Sequence, residues 1–123
     1  MITLETLYGT YSIHQFDVKD TLPPDIFKSD FYSVTRTGDE TSVVIKDPVS
    51  FTSQKTSGGW KGLRVEGILD LSLTGIIHDI TKPLKDNGIP VFVISTYNTD
   101  YIFVKEESFE RTLSILRTIY LVS

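Results

Sequence analysis

The chain has 123 residues, 40% apolar and 23% charged, which is material for one core or for two very small modules sharing one. A net charge of −4 argues against a general nucleic-acid binder, which neutralises phosphates with lysine and arginine. The absence of cysteine rules out disulfides, thiolate metal sites and a cysteine nucleophile, and suits a reducing compartment.

The opening MITLETLYGTYSIHQFD has no basic stretch followed by an apolar run, so no signal peptide is expected. Leu7 to Val18 is rich in aromatic and β-branched residues and predicts a strand. Pro23-Pro24 breaks it, and Pro24 is placed to open a short helix through Lys28. Asp30 to Val34 is strand-like, Thr37-Gly38-Asp39-Glu40 reads as a hairpin turn, and Val43 to Ile45 as its return strand, halted at Asp47-Pro48. Residues 52–59 (TSQKTSGG) have the composition of a linker. The expected division is therefore a module over 1–51, a linker over 52–59 and a second module over 60–123.

The second module begins with a strand whose Leu63 and Val65 share one face and whose Arg64, Glu66 and Ile68 share the other. The turn Asp70-Leu71-Ser72-Leu73-Thr74-Gly75 follows, with Ser72 or Thr74 as candidate helix caps. Ile76, Ile77, Ile80 and Leu84 form one helical stripe, with Pro83 inside it expected to bend the helix or loosen its last turn and Asn87-Gly88 to end it. Ile89 to Thr96 is apolar on both faces, which predicts cover on both. Its Ile89–Ile94 run is far short of a bilayer span. A soluble, cytoplasmic protein with no membrane or nucleic-acid partner is expected. The turn Tyr97-Asn98-Thr99 leads to a paired strand, Asp100 to Lys105. Glu106-Glu107-Ser108 opens a second helix with the stripe Phe109, Leu113, Leu116, Tyr120, and Leu121–Ser123 is a last short strand. The order β-α-β-β-α-β predicts an α+β, ferredoxin-like fold.

Two strings carry a family resemblance. Trp60-Lys61-Gly62-Leu63-Arg64-Val65-Glu66-Gly67-Ile68-Leu69-Asp70-Leu71-Ser72-Leu73-Thr74-Gly75-Ile76 resembles the first strand and ligand loop of ACT domains. Gly88 to Val104 (GIPVFVISTYNTDYIFV) resembles their hairpin. The match is to short tandem ACT proteins related to the cytosolic arginine sensor and to aspartate-kinase regulatory domains. It implies a ferredoxin-like βαββαβ ACT domain preceded by a smaller, degenerate, β-rich ACT-like module. It also implies non-catalytic regulatory binding of a free amino acid at an interface between ACT modules, with a homodimer through those modules as a further expectation. Carried over by position, the ligand residues are Asp70, Leu71, Ser72, Thr74 and Gly75, then Ser95, Thr96, Asn98, Thr99 and Asp100.

The same residues have a bland reading. Ser72 and Thr74 are also plain caps, Gly75 a packing residue, and Ser95 to Asp100 ordinary turn chemistry. The alternative function is then a structural or protein-interaction module that has lost its ligand. His14 and His78 read as surface histidines, and neither lies near a nucleophile motif. No catalytic residue, metal site or cofactor is expected. The binding account requires an open space at the start of the first long helix, unplugged by Leu73 or Tyr97.

Overall fold

The computed structural model describes residues 2–70 and 72–123. In chain order the strands are β1 (Thr3–Thr6), β2 (Tyr11–Phe16), β3 (Tyr32–Arg36), β4 (Thr41–Lys46), β5 (Lys55–Val65), β6 (Val91–Ser95), β7 (Asp100–Lys105) and β8 (Leu121–Val122). The helices are α1 (Ile76–Asp86) and α2 (Phe109–Leu116), with short 3-10 turns at Pro24–Lys28 and Glu106–Ser108. The chain divides into two units. One joins Tyr8 and the residues before it to Lys61–Ser123; the other is Gly9–Trp60.

The first unit is α+β and ferredoxin-like, with the expected order β5, α1, β6, β7, α2, β8. It also contains a strand that the sequence reading missed. β1 pairs antiparallel with β5 (Leu4 opposite Val65) and parallel with β8 (Leu4 opposite Val122). The strand order is β8-β1-β5-β7-β6, so β1 occupies the place beside β5 that a four-stranded sheet would give to β8. Residues 2–6 were assigned to the N-terminal module by sequence; here they complete the C-terminal one.

Most of each expected helical stripe is buried; Ile76 and Ile77 are half-buried, and Tyr120, also half-buried, lies beyond the end of α2 because the helix stops at Leu116. Ile80 and Leu84 of α1, and Phe109, Leu113 and Leu116 of α2, pack with Leu4, Leu63, Val65, Ile89, Ile102 and Val104. Helix α1 runs through Pro83 without interruption. It ends as the sequence indicates: Gly88 takes φ +70, its N–H bonds to Lys85 O at 3.0 Å, and Ile89 N–H bonds to Leu84 O at 2.9 Å. That pair of bonds is a Schellman stop, with the buried Ile89–Leu84 pairing that accompanies it. β6 is only half-buried from Val91 to Ile94, so the expected cover on both faces is incomplete.

Gly62 is where two side chains crowd the β5 backbone. A Cβ there would stand 2.8 Å from both Leu7 Cδ1 and Phe103 Cε1. Phe103 is fully buried and stacked on Phe92, ring centroids 4.6 Å apart, so it has little room to retreat.

In the second unit β3, β4, β2 and the first half of β5 form an antiparallel sheet in that order. Pro24 opens the 3-10 turn, whose Ile26 is fully buried with Phe16, Val43 and Ile45. The stretch read as a linker is strand from Lys55 onward. Lys55, Thr56 and Ser57 pair with Gln15, His14 and Ile13, then the register shifts before Trp60 pairs with Tyr11. Gly58-Gly59 lie at that irregularity, Gly59 with φ +73, so they mark a bulge rather than a hinge.

His14 is not a surface residue. It is 3% exposed, with Nε2 2.8 Å from Ser12 Oγ and Nδ1 2.8 Å from Ser53 Oγ. Asp47 accepts from Thr10 Oγ1 and from Ser12 Oγ, which ties the histidine's serine neighbour to a carboxylate. Burial lowers the His14 pKa, and Asp47 offsets this in part.

Two outcomes follow. Gly62→Ala should destabilise the protein by about 1–3 kcal/mol through overpacking, read from urea unfolding, and Phe103→Leu in the same chain should recover part of the loss. His14 should titrate below the ordinary value of about 6.5 in NMR. The unfolded chain then takes up the proton first as pH falls, so the His14 contribution is complete above that value and lost as pH drops through the folded pKa. A His14 midpoint at or above 6.5 would contradict this.

Candidate functional site

β5 ends in the first unit at Val65, and the chain leaves it through Gly67, which has φ +91. The loop that follows is tied to the β6–β7 turn. Leu69 N–H donates to Asn98 O at 2.7 Å, and Thr99 Oγ1 donates to Val65 O at 2.6 Å. The turn closes on itself, with Thr96 N–H to Thr99 O at 2.8 Å and Thr96 Oγ1 to the same carbonyl at 3.1 Å.

Against this frame lies a cavity of about 390 Å³. Of the ten positions expected from sequence, Asp70, Gly75, Ser95, Thr96, Asn98, Thr99 and Asp100 line it. Ser72 and Thr74 do not line it, and Leu71 lies outside the described residues. Leu73 and Tyr97 sit at its edge without filling it; they are 55% and 80% exposed. Leu69, Ile76, Ile77 and His78 complete the lining and were not among the expected ligand residues. The signal for the last three was available, since they are the first turn of the helix that Gly75 precedes.

The expected side-chain caps are absent. α1 starts at Ile76, its N-cap is Gly75 at φ +80, and no side chain caps it. Ser72 turns instead to Asp70: its N–H and Oγ both donate to Asp70 Oδ1 at 2.8 Å. Those bonds, the backbone one first, hold the Asp70 carboxyl below the usual carboxylate range. The opening N–H groups of α1 thus keep the partial positive charge of an uncapped helix start, which favours a carboxylate. Across the cavity, Asp100 accepts from Ser95 Oγ at 2.6 Å. Of the lining side chains, Thr99 is the buried one, at 4% exposure, and its role is to hold the frame. Among the described residues no cluster of three or more His, Asp or Glu is placed to hold a metal ion. No helix among them is long and apolar enough to cross a membrane.

A family model for the ACT domain matches residues 55–118. This chain belongs to the ACT domain family. A second model, described as an N-terminal domain, matches residues 9–50. Among solved structures, an Agrobacterium tumefaciens protein is 30% identical with a TM-score of 0.86, over 99% of this chain and 92% of its own. A Vibrio cholerae protein of unknown function, described as a possible transport protein, is 18% identical with a TM-score of 0.69, over 95% and 88%. The aspartate kinase of Clostridium acetobutylicum, an allosteric enzyme, is 10% identical with a TM-score of 0.66, over 95% of this chain and 34% of its own. At such identities the last two share the fold with this ACT protein and carry nothing further.

Gly75 separates two roles. A Cβ built on it meets nothing within 4 Å, so a larger residue would not collide; the positive φ is what requires glycine. Gly75→Ala should therefore cost about 1–2 kcal/mol in thermal or urea unfolding, and Gly75→Asn clearly less. Equal losses for the two would show that the left-handed backbone is not the reason.

Proposed function

We propose that this ACT protein is a non-catalytic regulatory or sensor protein that binds a free amino acid in the cavity between the Asp70–Gly75 loop and the β6–β7 turn. The observation that carries the reading is the convergence of these two polar loops on an open space. Its volume falls within the range of about 300–1,000 Å³ typical of small-molecule sites. Membership of the ACT family supports the same reading. The α-carboxylate of the ligand is received by the opening turn of α1. The α-ammonium is received by Asp100, with Asp70, Ser95, Thr96 and Asn98 as further polar contacts. Gly75 allows close approach. Ser72 and Thr74 act indirectly, by shaping the loop. The site is cytoplasmic in this account and needs no cofactor.

A second reading has its own support. β6 is half-buried along Val91–Ile94 and pairs only with β7 among the described strands, and Leu73 and Tyr97 are exposed at the cavity rim. These surfaces suit a second ACT module from another copy, which would place the ligand at a module interface. Without a ligand, the same surfaces suit a protein-interaction module.

A thermal-shift screen of the twenty amino acids decides between the two. Binding raises the stability of the folded chain by about 2.7 kcal/mol at a concentration 100 times Kd. At least one amino acid should shift Tm, and Asp100→Ala should weaken that shift while leaving the unliganded Tm close to wild type. No shift with any amino acid, together with a stable protein partner captured irrespective of them, would favour the interaction module.

A further inference from the structure

The cavity's charges are one-sided. Among the described residues its lining holds two carboxylates, Asp70 and Asp100, and no lysine or arginine. Among the described lining residues, His78, exposed in the first turn of α1, is the one imidazole. The charged residues next along the elements that build the wall are also acidic: Glu66 after β5 and Asp79 in the first turn of α1, both exposed. Lys82, one turn further on, is held by Asp86 at 2.7 Å. The rest of the wall is apolar, from Leu69, Leu73, Ile76 and Ile77.

We infer that the site selects amino acids with a neutral or cationic side chain and rejects those with an acidic one. The inference rests on reading this cavity as an amino-acid site. Every α-amino acid brings one carboxylate, and the uncapped start of α1 is the one strong feature that favours it. A second carboxylate on the ligand would meet no lysine or arginine among the described lining residues. It would lie among Asp70 and Asp100 instead, and would be desolvated against leucine and isoleucine side chains. Asp70 takes two hydrogen bonds from Ser72, backbone and hydroxyl, which favour its ionised form. Asp100 accepts from the Ser95 hydroxyl. One like charge about 6 Å away, at a dielectric between those of protein and water, changes affinity about tenfold.

Isothermal titration of the full chain with each of the twenty amino acids at pH 7.5 and low salt tests this. The tightest ligand should have a neutral or basic side chain, and aspartate and glutamate should each bind at least about tenfold more weakly than it. In the variant carrying Asp70→Asn and Asp100→Asn, the gap between that ligand and glutamate should narrow about tenfold, which a merely structural role for the two residues would not produce. An acidic amino acid binding tightest, or within about threefold of the tightest, would overturn the inference while leaving the amino-acid site standing. An unchanged gap in the double variant would overturn its electrostatic origin. Binding by no amino acid would overturn the site reading itself, and this selectivity with it.

Discussion

The hydrogen bond from Thr99 Oγ1 to Val65 O, 2.6 Å long and buried, fixes where two loops meet. With its neighbour, Leu69 N–H to Asn98 O at 2.7 Å, it fastens the exit of β5 to the β6–β7 turn. A buried hydroxyl left without its partner costs about 1–3 kcal/mol, so the bond also resists alternative turn geometries. Everything proposed for the site depends on this fastening, because the cavity lining comes from the two joined segments and from the helix that the first of them leads into.

Packing beneath the loops keeps that helix in place. Ile80 and Leu84 anchor α1 on the sheet, and Gly88 stops it so that Ile89 returns to the same core. Gly75 at the other end sets the direction of entry at positive φ, and it does so without a capping side chain. A helix start with its N–H groups uncapped is a local cost in stability, and it sits beside a cavity that carries two carboxylates. A zwitterion satisfies both sides at once, which is the physical basis for the amino-acid reading.

Much of this was legible in the sequence because it is local. Period-3.6 stripes gave both helices, the Asn87-Gly88 pair gave the end of α1, and short polar turns between apolar runs gave the hairpin. The turns also pointed to the cavity, since Gly75 and the Ser95–Asp100 segment sit at ends of elements that a ferredoxin-like order makes neighbours. What was misread is decided by partners distant in the chain. Thr3–Thr6 is short and unremarkable as a string, and only its pairing with β5 and β8 makes it part of the ACT unit. Lys55–Gly59 has loop composition, but pairing with β2 overrides it, and the glycines serve a bulge. His14 is buried because Ser53 and Thr56, far along the chain, supply hydroxyls to its ring. Ser72 had the right residue type and place for a cap, and Asp70, two residues away, took its bonds instead.

Amide NMR shifts followed through a titration with the tightest-binding amino acid test the central claim most directly. The account predicts the largest changes at the amides of Ile76 to His78 and of Thr96 to Thr99, with residues 9–60 changing little. Shifts concentrated in residues 9–60, or spread evenly over the chain with no excess at those two segments, would contradict it.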